Sequence, residues 1–242
     1  MNTVATPAET PTSETAGVRH AAVVRVTHWL TFVSCTALLV TGLLIVISHP
    51  RFYWGETGSN LTKPLFALPI PASRDLVPTG YHYVMPDENG WSRYLHFEMA
   101  WVLVITGAVY LIYGVWSGHF RRHLLPGRGG WSLKALWSVA AKYLRGARYA
   151  DAEDGSYNAL QRVAYLAVIF VLVPMLIWTG LALSPAFDSA APAAVNLLGG
   201  RQSARTLHFL LTWVLVLFVA VHVTMVAISG FWKRMRGMIT GR

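Results

Sequence analysis

Residues 206–223, TLHFLLTWVLVLFVAVHV, contain no charged side chain and include two histidines, His208 and His222. The uncharged stretch continues to Gly230, and about 20 helical residues are enough to cross the roughly 30 Å hydrocarbon core of a bilayer. The two histidines are 14 residues apart, so on a helix they lie within about 40° of one face and about 21 Å apart along the axis. This segment predicts a transmembrane helix that carries one imidazole near each side of the membrane.

Three further stretches share this apolar character and complete the set of predicted spans. The four spans are residues 23–47, 91–116, 160–183 and 206–230. Because backbone groups in hydrocarbon must form their hydrogen bonds within the segment, we expect each span to be a helix. The composition agrees, since 54% of the residues are hydrophobic and only 13% are charged, unlike an ordinary soluble domain. The predicted fold class is an all-α membrane protein, a four-transmembrane-helix bundle over residues 21–235 with tails at 1–20 and 236–242.

The charges of the connecting segments predict the orientation of this bundle. Fourteen of the 20 Lys and Arg residues lie on the side of both termini, and an excess of basic residues marks the cytoplasmic side. We therefore expect a multi-pass membrane protein, with both termini, the flexible tail 1–20 and the basic loop 117–158 in the cytoplasm. The long, proline-rich loop 50–90 then lies on the outer side. The net charge of +9 is explained by basic loops that lie at the bilayer surface, so no nucleic acid is expected as a partner.

Four of the nine histidines lie within the predicted spans: His28, His96, His208 and His222. Histidine is costly in hydrocarbon, so each is a candidate functional residue. The first span starts inside and the second starts outside, which places His28 at the depth of His222 and His96 at the depth of His208. We call His28/His222 the inner pair and His96/His208 the outer pair. The third span carries no histidine and is expected to be a structural wall, kinked at Pro174.

Two imidazoles at one depth can occupy both axial positions of a haem iron, which favours electron transfer over the binding of oxygen or substrate. A zinc or copper site requires three or four converging ligands, and a proton relay usually adds buried carboxylates, whereas the only acid in a span is Glu98. The sequence therefore predicts two haem b groups, one per pair. The chain has a single cysteine, Cys35, and no C-x-x-C-H motif, which excludes covalent haem attachment. For any one histidine, a hydrogen bond to a neighbouring helix remains the alternative.

Four other residues are candidates for the surroundings of the haems. Gly42 lies 14 residues after His28, at the depth of the outer pair, where a missing side chain leaves room for a porphyrin edge or for a close helix contact. Arg25, Arg93 and Arg205 lie at helix entrances. Their guanidinium groups are suited to haem propionates, although anchoring at the membrane surface explains each of them equally well.

The motifs around these histidines resemble those of the prokaryotic diheme cytochrome b superfamily, the membrane subunits of nickel hydrogenases, formate dehydrogenases and thiosulfate reductases. They are RVTHWL at 25–30, RYLHFE at 93–98 and the segment at 206–223, and the resemblance covers about residues 19–235. The resemblance implies haem ligation by the inner and outer pairs, and electron exchange between a quinone pool and a catalytic subunit outside the membrane. It also implies a place in the bacterial inner (plasma) membrane, with the loop 50–90 in the periplasm. The stretch SHPRFYWGETG at 48–58 is similar to the thiosulfate reductase branch, which favours a periplasmic, molybdenum-containing oxidoreductase as the partner.

The sequence thus favours an electron-transfer subunit of a respiratory oxidoreductase complex, with a quinone site near the inner pair. Arg25, Thr27 and Trp29 are candidates for that site. One alternative is a stand-alone cytochrome b that exchanges electrons between quinone and a small oxidant such as superoxide. A second alternative is a transporter that uses histidines to handle protons or metal ions, which would be colourless.

Overall fold

The computed structural model describes residues 20–59, 61–70, 89–126, 131–145 and 158–241. Four of its helices are long and apolar enough to span a membrane, namely Ala22–Ser48, Gly90–Trp116, Ala159–Leu181 and Arg201–Ile228. The predicted set of four spanning helices is thereby confirmed. Most of the predicted N-terminal tail and parts of both long loops lie outside the described residues.

In chain order the helices are α1 (Ala22–Ser48), α2 (Asn89–Trp116), α3 (Leu133–Leu144), α4 (Ala159–Ala167), α5 (Val173–Leu181), α6 (Pro185–Ala190), α7 (Pro192–Asn196), α8 (Arg201–Ile228) and α9 (Phe231–Thr240). Two π-helical turns, Phe120–Leu124 and Val168–Leu172, and two short strands, β1 (Arg51–Phe52) and β2 (Phe66–Ala67), are also present. The third span consists of α4, the second π-helical turn and α5.

The spanning helices pack as two pairs. Helix α1 packs mainly on α2, and α5 packs mainly on α8. Within the described ranges, neither α1 nor α2 is among the elements whose backbones pack closely against α8. Side chains make the described contacts between the two helix pairs, among them His28 with His222 and His96 with His208.

A stripe of small polar residues explains why α1 and α2 approach closely. Thr27, Ser34, Thr41 and Ser48 recur every seven residues and are the buried residues of α1. Small residues let the backbones of two membrane helices come close together. The hydroxyl of Thr27 donates to the carbonyl of Val23 at 2.8 Å, and Thr41 donates to Ala37 at 2.7 Å, so these polar groups are satisfied within their own helix.

The third span is widened directly before its proline. In the π-helical turn Val168–Leu172, the backbone N–H of Val173 bonds to the carbonyl of Val168, five residues earlier. Pro174 has no N–H to donate, and its ring would clash with the carbonyl four residues before it in a regular helix. The wider turn relieves this clash, so a π-helical insertion directly precedes Pro174, the position where the sequence predicts a kink.

A short cover closes the outer end of the bundle. Strands β1 and β2 pair antiparallel, and Phe52, which is 1% exposed, contacts Phe209 of α8 with ring centroids 4.4 Å apart. The carboxylate Oε2 of Glu56 accepts from the backbone N–H of Arg201 at 3.0 Å. A negative charge at a helix N-terminus is favourable. The cover thus fixes the start of α8, the helix that carries two of the four histidines.

The inner end of the bundle is closed by α9, which folds back from α8. Gly230, with φ +98°, permits the change of direction because a residue without a side chain adopts positive φ readily. The C-terminal carbonyls of α9 are bound by α1: Arg25 Nη1 donates to Ile239 at 2.8 Å, and Trp29 Nε1 donates to Met238 at 3.1 Å. Helix α9 is therefore attached to the inner end of α1, next to His28.

Candidate functional site

The structure brings the four intramembrane histidines together in the two predicted pairs. The ring centroids of His28 and His222 are 6.3 Å apart, and those of His96 and His208 are also 6.3 Å apart. Two imidazoles that bind one metal ion from opposite sides, each at about 2 Å, place their rings roughly 6 Å apart. Each pair joins one helix of the α1/α2 unit to α8. Both pairs therefore have the spacing that a haem iron between two axial imidazoles requires.

The number of protein ligands at each site also fits a metal ion that takes most of its ligands from a macrocycle. Among the described residues, no group of three or more His, Cys, Asp or Glu side chains converges to hold a metal ion. A structural or catalytic zinc site uses three or four protein ligands. Two imidazoles per site, twice, fit haem iron better than they fit a bare metal ion.

The outer pair is held by hydrogen bonds to threonines on neighbouring helices. His96 Nδ1 lies 2.9 Å from Thr41 Oγ1, and His208 Nδ1 lies 3.0 Å from Thr179 Oγ1. His208 Nδ1 is also 3.1 Å from the carbonyl of Leu176, and a carbonyl can only accept. The proton of His208 is therefore on Nδ1, which leaves Nε2 with a free lone pair for a metal ion.

Two glycines let these imidazoles lie against the helices that bind them. A Cβ on Gly42 would lie 3.4 Å from His96 Cε1, and a Cβ on Gly180 would lie 3.3 Å from His208 Cε1. The sequence left open whether Gly42 makes room for a porphyrin edge or for a helix contact. In the structure, the imidazole of His96 lies where a side chain of residue 42 would otherwise project.

The inner pair is held by aromatic contacts. His28 meets Trp29 edge-on at 5.4 Å, and His222 stacks on Phe218 with centroids 6.1 Å apart and rings inclined by 17°. The ring of Tyr165 lies 6.2 Å from that of His222. Within the described ranges neither imidazole of the inner pair has a hydrogen bond that resembles the threonine bonds of the outer pair.

The three arginines predicted near the haems have different surroundings. Arg25 donates to the backbone of α9. Arg205 donates to the carbonyls of Arg51 and His49, and its guanidinium lies 5.1 Å from the centre of the Phe52 ring. Arg93 is exposed. The described contacts thus assign Arg25 and Arg205 to the attachment of α9 and of the outer cover, and they bring Arg93 to neither histidine pair.

Three more histidines gather at the inner end of the bundle. The rings of His119 and His123 are 5.0 Å apart. Burial, followed by the nearby His123, Arg25 and Arg234, lowers the pKa of His20. Burial and the neighbouring His123 also lower the pKa of His119, with smaller contributions from His20 and Arg122. The structure thus shows a second group of neighbouring histidines, separate from the inner and outer pairs.

Comparison with known proteins identifies the family. Residues 19–241 match the family model described as prokaryotic cytochrome b561. The chain belongs to the prokaryotic cytochrome b561 family. The resemblance that the histidine motifs indicated is thereby confirmed: the protein is a multi-pass membrane cytochrome of the b type, a family that binds haem b.

Two proteins that carry a functional name are similar to this cytochrome over most of its length. It is 32% identical over 207 residues, covering 84% of this chain and 87% of the relative, to YedZ1 of Azospira oryzae, provisionally named a protein-methionine-sulfoxide reductase subunit. It is 25% identical over 212 residues, covering 83% of this chain and 73% of the relative, to a protein of Bradyrhizobium diazoefficiens provisionally named a Ni/Fe-hydrogenase B-type cytochrome subunit. No solved structure matches the cytochrome.

The motifs around the histidines do not indicate the residues that hold the outer pair, although a repeat in the sequence marks them. Residues 38–43, LLVTGL, correspond to residues 176–181, LIWTGL, and residues 93–97, RYLHF, correspond to residues 205–209, RTLHF. In each copy the threonine of the first motif contacts the histidine of the second. The third span, expected to be only a structural wall, therefore supports a histidine in the same way as α1 does.

Proposed function

We propose that the cytochrome binds two haem b groups, one between His28 and His222 and one between His96 and His208, and carries electrons across the membrane. The observation that carries this proposal is the presence of two histidine pairs with equal ring separations of 6.3 Å at opposite ends of α8. Haem b, when bound, supplies one-electron redox chemistry, and two axial imidazoles leave the iron no open position for a substrate. The chain's own contribution is to hold the four imidazoles and to exclude water from them.

The charges at the two ends support the predicted orientation. The inner end carries Lys233, Arg234 and Arg236 on α9, and Arg121 and Arg122 after α2. Basic residues accumulate on the cytoplasmic side of bacterial membrane proteins. We infer that the inner pair lies near the cytoplasm, that the outer pair lies near the periplasm, and that quinone exchanges electrons at one end of this path, near the inner pair.

The outer cover, together with the adjacent end of α7, offers a surface for a catalytic partner. Trp54 is 58% exposed, Leu61 is 99% exposed and Leu197 is 79% exposed. Large apolar side chains at the water-facing end of a membrane protein are typical of a protein contact. The relatives are named as subunits of a protein-methionine-sulfoxide reductase and of a hydrogenase. We infer that the partner is a periplasmic oxidoreductase, molybdenum-containing and of the first of these two kinds.

A haem count with single-histidine variants tests the ligand assignment. The purified cytochrome should contain two haems per chain, with the low-spin absorption bands of bis-imidazole ligation in its reduced-minus-oxidised spectrum. His96→Ala and His208→Ala should each lose the same spectral component, and His28→Ala and His222→Ala should each lose the other. His119→Gln serves as a matched control, because this histidine lies outside both pairs, and it should retain both components. One haem per chain, or loss of the same component in all four variants, would contradict the proposal.

A second experiment tests the partner. Inner membranes with the cytochrome should support quinol-dependent reduction of methionine sulfoxide in protein, and membranes without it should not. Trp54→Ala combined with Leu61→Ser should reduce this activity while leaving reduction of the haems by quinol unchanged. If quinol oxidation instead depends on superoxide in the purified single chain, the cytochrome acts alone and the partner proposal is wrong.

A further inference from the structure

The two histidine pairs differ in the groups that bind their Nδ1 atoms. At the outer pair, the hydroxyl of Thr41 donates its own proton to the carbonyl of Ala37 at 2.7 Å. The hydroxyl of Thr179 donates in the same way to Met175 at 2.7 Å. A hydroxyl has one proton to donate and two lone pairs that accept. Each threonine therefore accepts from the Nδ1–H of its histidine.

A backbone carbonyl adds a second acceptor at His208. His208 Nδ1 donates to the carbonyl of Leu176, three residues before Thr179, at 3.1 Å. The threonine acceptor itself is present at both outer histidines, at 2.9 Å from His96 Nδ1 and 3.0 Å from His208 Nδ1. The same contact in both copies of the repeat argues that it is a built feature of the outer pair rather than an accidental contact.

Acceptors of this kind change the electronic properties of a metal-bound imidazole. The ring nitrogen that does not bind the metal carries an N–H group. When this N–H donates a hydrogen bond, the basicity of the ligating nitrogen rises, and the tautomer and the ring orientation are fixed. A more basic ligand stabilises the oxidised, more positively charged iron relative to the reduced iron. The reduction potential of that iron is therefore lowered.

We propose that Thr41 and Thr179 are positioning residues that hold the outer pair in the Nδ1–H tautomer and lower the reduction potential of the haem bound there. The proposal rests on the proposed haem ligation by His96 and His208. Among the described residues, the inner pair contacts Trp29 and Phe218 and has no threonine acceptor of this kind. The two haems of one chain are thus given different potentials by the residues that surround their ligands.

Valine substitutions of the two threonines test this inference, because valine keeps the shape of threonine and removes the hydroxyl. In a spectrally resolved redox titration, Thr41→Val and Thr179→Val should each raise the reduced-to-oxidised ratio of the outer component at a fixed potential by about three- to tenfold, the size expected for loss of one hydrogen bond. The double variant should show a larger shift. The inner component should not move, and Thr41→Ser, which restores a hydroxyl, should return the outer component to its original position.

Two threonines elsewhere in the membrane helices serve as matched controls. Thr36 donates to Phe32 at 2.8 Å, and Thr224 donates to Ala220 at 2.8 Å, so both form the same bond to their own helix. Thr36→Val and Thr224→Val should shift neither component. The proposal is overturned if the Thr41 and Thr179 variants leave the outer component unmoved, or if they shift both components equally.

The same set of proteins separates this inference from the ligand assignment. The outer component is defined as the one lost in His96→Ala and His208→Ala. If those variants retain both components, the haem assignment itself is wrong, whatever the threonine variants do. If they lose one component and the threonine variants do not shift the redox position of the outer component, only the positioning role of Thr41 and Thr179 fails. The g-values of the oxidised outer haem in electron paramagnetic resonance give a second readout, since they respond to the donor strength of the imidazoles.

Discussion

The outer and inner histidine pairs have the same ring separation of 6.3 Å, yet different interactions hold them. At the outer end, threonine hydroxyls bind both imidazoles, a backbone carbonyl also binds that of His208, and a cover of two short strands fixes the start of α8. At the inner end, aromatic rings surround the imidazoles, and a folded-back helix is attached to α1. The difference teaches that an equal ring separation does not make equal sites, because directional hydrogen bonds constrain an imidazole in a way that ring contacts do not.

Enlarging the glycine against an outer histidine should have the largest effect on this comparison. A Cβ at Gly180 already lies 3.3 Å from His208 Cε1, so the branched side chain of Gly180→Val displaces the imidazole. We expect haem retention at the outer pair to fall at least about tenfold, as measured by haem content after purification. Gly107 has open space around its Cα, and Gly107→Val should keep two haems. Loss of the inner component in Gly180→Val would show that the two ends are not independent.

Releasing α9 should affect the inner end alone. Arg25→Ala combined with Trp29→Phe removes both side-chain donors to the C-terminal carbonyls of α9. Each such bond contributes about 1 kcal/mol, so trypsin should cut within α9 of the variant several times faster than in the parent. Arg93→Ala, which removes an exposed arginine, should leave the rate unchanged. Equal cleavage of all three proteins would mean that these bonds do not hold α9 in place.

Removing the charge that caps α8 should have a smaller effect, at the outer end. Glu56→Gln keeps the shape of the side chain but removes the negative charge from the N-terminus of α8, where a charge contributes about 0.3–1 kcal/mol. The melting temperature in detergent should fall by a few degrees, roughly the change that such a free energy gives in a chain of this size. Glu98→Gln, in an exposed side chain of α2, should not change it. An unchanged melting temperature in Glu56→Gln would rule out the capping role.

The smallest expected effect is a pH dependence confined to the inner end. The pKa values of His20 and His119 are lowered from 6.5, chiefly by burial. The unfolded chain therefore takes up protons at a higher pH than the folded chain does, and the stability from these two groups is present above pH 6.5 and falls as the pH decreases below it. Thermal unfolding between pH 5 and 8 should show this slope, and His20→Gln combined with His119→Gln should flatten it. A slope that persists in the double variant would come from other groups.

Much of the fold was predictable because the signals for it are local. An uncharged run of more than 20 residues specifies a spanning helix by its own composition, as in the segment that ends at Gly230. The pairing of His28 with His222, and of His96 with His208, followed from helix direction alone, since consecutive spans run in opposite directions. Pro174 marked the third span as irregular, but the sequence did not indicate the π-helical turn that precedes this proline.

The roles of the arginines and of the small polar residues were harder to predict from the sequence. Arg25 and Arg205 at helix entrances are compatible with propionates, with lipid headgroups or with backbone carbonyls, and only the positions of α9 and β1 assign them to carbonyls. Thr41 and Thr179 look like ordinary helix-packing residues in a membrane span, where small residues are common. Their repeat within L-x-x-T-G-L was visible in the sequence, but its meaning depends on which histidine lies opposite.

The sequence by itself determined the number of spanning helices and the partner of each of the four histidines, because hydropathy and helical period depend only on residues that are close along the chain. The tertiary structure alone decided which threonine meets which histidine, where α9 folds back, and how the two ends of the bundle differ. Those contacts join residues that are 29 and 55 positions apart at the outer pair and more than 200 apart at α9. A hydrogen bond requires its two atoms to be placed within a few tenths of an ångström, and packing between helices sets that placement rather than any local pattern.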